Sequence, residues 1–365
     1  MHKLLQSGVF CVKKGREWRA AAVATAATAG AAFASGREVG MFFSQMGWAS
    51  WIGVGCASAM FGLFCGIICR FARQTGAKSF AAVYMRVLDV RQGAVVGAVH
   101  GLLMSLTAGV MLAAVGELAA LALPLYNAFW MGVLFSTGVA LLLNLRGMRA
   151  MIHAGQPVIV FCAVFYAALA LDPRKTNVHF QYETVPELSG SVSAALLLAA
   201  LHSALCASVS GGVAARMAGD VSQPMRFGAR CGVMMLALLS AGNAALLRGG
   251  EELLSQALPT VLLAARWGKA GFYISIFVMW ICSTMTLSAA LGTLVGQLDD
   301  DRCNRRILLL TLMLGTTAAL LMGFGRLVEV GYPILGWASM FALTGLVFSC
   351  GRPARKNGDH DRIAC

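Results

Sequence analysis

Residues 25–43 read Thr-Ala-Ala-Thr-Ala-Gly-Ala-Ala-Phe-Ala-Ser-Gly-Arg-Glu-Val-Gly-Met-Phe-Phe. The stretch lies inside an apolar run that begins near Trp18 and is long enough to cross a bilayer. Two glycines, Gly30 and Gly36, flank small residues in its middle, and the charged pair Arg37-Glu38 follows at once. Charges inside hydrocarbon are costly and persist where they face a cavity, a partner or an interface. One reading is a span broken near its middle. Its unwound backbone then exposes carbonyls and N–H groups, and the second half-helix aims its N-terminus at the centre, where a carboxylate is favoured. The other reading is close helix packing through Gly and Ala, with Arg37 and Glu38 neutralising each other near the outer surface.

The rest of the chain has the same character. Of 365 residues, 58% are hydrophobic and only 12% charged, and the mean hydropathy is +0.73. A soluble domain carries roughly twice that share of charge, so a water-soluble fold is excluded. The apolar runs predict ten spans, near 18–44, 48–70, 93–116, 127–145, 155–171, 191–215, 227–247, 270–297, 307–325 and 332–350. Pro124, Pro157, Pro224 and Pro333 are read as lying near span ends, where a helix starts or stops cheaply. An expectation for domain organisation follows: an N-terminal segment 1–17, spans one to five over 18–171, a loop 172–190, spans six to ten over 191–350, and a tail 351–365.

The net charge of +13 reads as positive-inside anchoring rather than nucleic-acid binding. With the N-terminus in the cytoplasm, the outer loops hold only Arg174, Lys175, Arg248, Arg266, Lys269 and Arg326. Every other basic residue except Arg37 falls on the inner side, which predicts a cell-membrane protein with both termini cytoplasmic. The basic start and the Ala32–Ser35 stretch also resemble a secretory signal, but the apolar run continues to Phe43. The loop 248–269 reads as partly an amphipathic outer helix. Most of the 11 cysteines, Cys65, Cys69 and Cys206 among them, lie in apolar runs, where a thiol behaves as a small hydrophobe. No CxxC pair implies a disulfide framework or a metal site, and no HExxH or GxSxG motif supports an enzyme.

The run Gly30-Ala31-Ala32-Phe33-Ala34-Ser35-Gly36-Arg37-Glu38-Val39, then Phe42-Phe43 and Gly47-Trp48, resembles the YkvI-type family of membrane proteins. That family reads approximately GAGFASGQE, then FF, then a glycine-aromatic turn, and is regarded as amino-acid permeases of the amino acid–polyamine–organocation superfamily. The similarity is sharp over 30–76 and diffuse beyond. It implies an all-α integral membrane fold of the LeuT type: a 5+5 inverted repeat with helices 1 and 6 broken. This chain departs in having Ala32 where the family has glycine and Arg37 where it has glutamine.

The resemblance implies a secondary transporter for a small amino-acid-like solute, with no cofactor and with Na+ or H+ as the coupling ion. The expected solute contacts are Gly30, Ala32, Phe33, Ala34, Ser35, Gly36, Arg37 and Glu38 on span one, His100 and Met104 on span three, and His202, Ser203 and Cys206 on span six. Gly211-Gly212 is expected to loosen span six. A candidate sodium site is carried over from LeuT-type carriers: the carbonyls of Gly30 and Phe33 with the hydroxyls of Ser283, Thr284 and Thr286. Intramembrane hydroxyls also bond back to their own helix, and His202 and His100 also read as packed histidines. Beside the solute, the only other partner implied is the lipid bilayer. The alternative function is a non-transporting sensor or assembly subunit, with the basic loop 70–91 and the tail as docking points.

Overall fold

The structure is a computed structural model and describes residues 16–88, 90–172, 191–298, 317 and 324–348. It is all-helical over these residues. The first span is α1 (16–26), α2 (Ala31–Ala34) and α3 (Arg37–Phe42). A 3-10 turn, Ser44–Ala49, leads into α4 (Ser50–Thr75). Then follow α5 (Phe80–Val87), α6 (Val90–Ala122), α7 (Ala128–Leu145), α8 (Met148–Leu171), α9 (Val192–Met217) and α10 (Pro224–Leu247). Two short helices, α11 (Glu251–Leu254) and α12 (Pro259–Ala264), precede α13 (Lys269–Leu298). A π-turn over Leu327–Gly331 leads into α14 (Tyr332–Phe348).

Eight of these helices are long and apolar enough to cross a membrane. They coincide with the expected spans two to eight and ten, and the pieces of the broken first span are each too short to be among them. The ninth expected span, 307–325, lies largely outside the described residues, as do most of the loop 172–190 and both terminal segments.

Small side chains put the first span at the centre. From Ala20 to Ala34 every residue is buried. Short side chains let neighbouring backbones approach, and packing rather than hydrophobicity holds helices together in lipid. The same device joins α4 to α10. Gly62 and Gly66 face Gly228 and Gly232, and a Cβ on Gly62 would come within 2.7 Å of the Gly228 carbonyl oxygen.

Three expectations need correction. Span six is not broken: α9 runs as one α-helix from Val192 to Met217, through Gly211-Gly212. A Cβ on Gly211 would come within 2.6 Å of the Phe80 ring, and one on Gly212 would overlap the Thr293 side chain. These glycines are small to admit neighbours, and the backbone keeps its i→i−4 bonds. Second, Pro157 does not begin span five. It lies inside α8, which starts nine residues earlier at Met148 after Gly147. A proline's missing hydrogen bond is tolerated within membrane helices that have packed neighbours. Third, Arg37 and Glu38 do not pair with each other, for reasons given next.

Candidate functional site

The first span breaks because its hydrogen-bond ladder tightens and then stops. The Thr28 and Ala29 N–H groups donate to carbonyls three residues back, at 3.1 and 3.2 Å, and Gly30 N–H donates only two back, to Thr28 O at 2.9 Å. Gly30 is extended. Four residues of α2 follow, and then Gly36 adopts φ +80°, in the left-handed region open mainly to glycine. The chain therefore bends twice within a dozen residues while fully enclosed by protein.

The carbonyls freed by the second bend are satisfied from other helices. Tyr166 of α8 donates its hydroxyl to Phe33 O. Thr260 of α12 donates its hydroxyl to Ala34 O and its N–H to Ser35 O, both at 2.9 Å. The Ser35 hydroxyl donates to Ala32 O at 3.0 Å. Arg37 turns outward, and its guanidinium donates to the carbonyls of Leu254, Ser255 and Gln256 at 3.1–3.3 Å. It closes the C-terminal end of α11, where a cation is favoured, and so pins the α11–α12 segment to the break.

Glu38, in the first turn of α3, points the other way. Its Oε1 lies 2.8 Å from His202 Nε2, with both side chains almost wholly buried. One turn along α9 from His202, Cys206 places its Sγ 3.6 Å from Nε2 and 3.9 Å from Oε1. The rings of Phe42 and Phe43 meet the imidazole edge-on, at centroid distances of 5.4 and 4.9 Å. An acid, an imidazole and a thiol thus converge inside apolar walls.

Gly30 sits between α6 and α13. A Cβ there would come within 2.9 Å of Met111 Sδ and 3.3 Å of Thr286 Oγ1. The Thr286 hydroxyl faces the break and is buried without a hydrogen-bond partner among the described residues. Ser283 and Thr284 instead donate to their own helix, at Met279 O and Trp280 O. The Phe33 carbonyl, besides Tyr166, accepts from Gly36 N–H at 2.9 Å. Of the oxygens expected around sodium, the Gly30 carbonyl is also taken, accepting from Ala34 N–H at 2.9 Å, and the Thr286 hydroxyl is left without a partner among the described residues.

Span three contributes differently from the expectation. On α6 it is Met111 that meets the break. His100 lies about 16 Å nearer the other end of that helix, at 1.5 Å per residue, wedged between Phe80 (4.7 Å) and Tyr84 (6.3 Å) of α5. Met104 is buried on the same helix, and Ser203 turns its hydroxyl back to Ala200 O. Sequence reasoning missed Met111, Tyr166 and Thr260. Single polar or sulfur-bearing residues in apolar stretches carry no local signal of a partner a hundred residues away.

Two cavities are lined by different sets of helices, and the smaller one reaches the break. At the end that holds Arg16 and the α4–α5 turn, a cavity of 990 Å³ is lined by Arg73, Lys78, Arg86, Asn144 and Arg216, with Gly292 of α13. At the far end a cavity of 200 Å³ reaches Ala31, between Leu118 of α6, Leu258 and Met279. In the first turn of α1, ahead of the apolar run that begins near Trp18, Glu17 bonds Arg230 and Ser222 of the α10 region. Burial alone would raise the Glu17 carboxyl, but the Ser222 hydroxyl and the Arg230 guanidinium hold it below the usual carboxylate range.

No protein-family model matches the chain. It is 21% identical over 360 residues to the uncharacterized membrane protein YkvI of Bacillus subtilis, covering 94% of this chain and 99% of that one. Among solved structures it is similar to the Eremococcus coleocola manganese transporter in complex with an aromatic bis-isothiourea substituted compound. That likeness has a TM-score of 0.49 and 13% identity, over 91% of this chain and 76% of the other. The chain is a multi-pass, all-α membrane protein.

Proposed function

We propose that the protein is a secondary transporter that moves a small solute by alternating access around the break in its first span. The observation that carries this reading is the Glu38–His202 pair, buried at 2.8 Å on the far lip of that break. Ionisable groups inside a membrane protein are expensive and are kept where they serve transport or signalling, and discontinuous helices at mid-membrane are where carriers bind their cargo.

The amino-acid-like class of solute rests on the resemblance of residues 30–76 to the permease family, and coupling to H+ or Na+ rests on the same footing. The test is uptake by proteoliposomes of amino acids, with and without an imposed sodium or proton gradient. Uptake of one class by wild-type protein, lost in Glu38→Gln and His202→Gln variants that keep their thermal midpoint, is the expected result. Solute binding without flux in the wild type would turn the reading towards a sensor, and neither binding nor flux for any amino acid would remove the solute class.

A further inference from the structure

The Glu38–His202–Cys206 cluster has a donor set that solute contact alone does not explain. Three different ligand types, a carboxylate oxygen, an imidazole nitrogen and a thiol sulfur, lie within 4.8 Å of one another and all are buried. We propose that these three side chains form a binding site for a d-block divalent cation of the zinc class. The inference goes beyond the transport reading and does not depend on it.

The spacing is that of a tetrahedral site with one open position. Zinc bonds of ~2.3 Å to sulfur and ~2.0–2.1 Å to nitrogen or oxygen, at tetrahedral angles, put S and N ~3.5 Å apart, S and O ~3.5 Å apart, and N and O ~3.3 Å apart. The observed separations are 3.6 Å for Cys206 Sγ to His202 Nε2, 3.9 Å for Cys206 Sγ to Glu38 Oε1, and 2.8 Å for His202 Nε2 to Glu38 Oε1. The first already fits. The other two need adjustments of about half an ångström, within the reach of side-chain torsions, as the ion replaces the hydrogen bond between imidazole and carboxylate.

Local structure supplies two of the three ligands without tertiary help. His202 and Cys206 are four apart on continuous α9, so they share one face. The bend at Gly36 brings the third, by setting the first turn of α3 against that face. The unbroken sixth span is therefore an asset, because a bend between residues 202 and 206 would separate its two donors.

Charge selects the class of ion. Loading the site releases the Cys206 thiol proton to water. A divalent cation, one carboxylate and one thiolate then sum to zero, which a low-dielectric interior tolerates far better than a net charge. The neighbouring cation Arg37 is committed to the carbonyls of the α11–α12 segment. A sulfur ligand disfavours magnesium and calcium, which prefer all-oxygen shells.

The test is cobalt(II) titration of the full-length protein in detergent, read by absorption. The expected result is one cobalt per chain, a sulfur-to-cobalt charge-transfer band, displacement by zinc, and no displacement by excess magnesium or calcium. Cys206→Ser should remove the band and weaken zinc binding at least tenfold. Glu38→Gln should keep a weakened band, since the thiolate remains. Wild-type protein that gives no band at one equivalent of cobalt overturns the proposal, and so does a band that survives in Cys206→Ser. Thermal midpoints of both variants without metal report whether they are folded. Because the readout is binding, cobalt bound without solute flux counts against transport alone, and flux without cobalt binding counts against this site alone.

Discussion

Spans one and six carry similar sequence and reach opposite outcomes. Both are runs of Ala and small polar residues that contain glycines, Gly30 and Gly36 in the middle of one and Gly211-Gly212 in the last third of the other. The first bends twice, and the sixth is a continuous helix. Their surroundings differ. In span six the space a glycine side chain would fill belongs to Phe80 and Thr293, so the glycines act by being small. In span one, Gly36 takes a positive φ that other residues resist. There Tyr166, Thr260 and Ser35 also wait to satisfy the backbone groups that the bends release. A glycine permits a break, and donors from neighbouring helices make the break affordable in a medium without water.

The largest test of this contrast is Gly212→Val. It should cost about 3 kcal/mol through overpacking against Thr293 and visibly lower the thermal midpoint in detergent, with Thr293→Ala restoring part of the loss in Gly212→Ala. A harmless Gly212→Val would mean that span six has room to bend after all. Next is Gly36→Ala. Its left-handed backbone costs a residue with a Cβ about 1–2 kcal/mol, and the new methyl would press on Thr260 and Leu246. If its thermal midpoint is unchanged, the second bend does not depend on glycine. The smallest effect concerns the near half of span one, anchored by Glu17. Glu17→Gln should remove about 1 kcal/mol at neutral pH. The Glu17 carboxyl is held below its unfolded value, so its stabilisation is complete above that value, near pH 4.3, and fades as pH falls through the folded one. The difference in midpoint between wild type and Glu17→Gln should therefore shrink on acidification. A constant difference from pH 7 to pH 3 would remove the role given to this anchor.

The two ends of the site differ in how far they could be read in advance. Glu38 and His202 stand out because an ionisable residue in an apolar run needs a reason to be there, and Cys206 follows His202 by one helical turn. The resemblance puts all three around one solute, but that they touch one another directly could not be read, since it depends on how far α3 swings after Gly36. His100 shows the converse. It has the same local signature as His202, yet it is packed under Phe80 and Tyr84 of α5, away from the break. A histidine's role is set by which helix covers it, and nothing within its own span records that.

By itself the sequence determined that the chain lives in a bilayer and where most of its helices cross. It also marked the first span as the one where regular structure is most easily interrupted. Those properties follow from transfer free energy and backbone freedom, which are local and sum residue by residue. Only the tertiary structure decided that span six stays whole, that Arg37 closes a loop rather than facing Glu38, and that an acid, an imidazole and a thiol share one pocket. Those outcomes turn on which buried polar groups find partners, and in a chain of this length the partners lie as far as 226 residues apart.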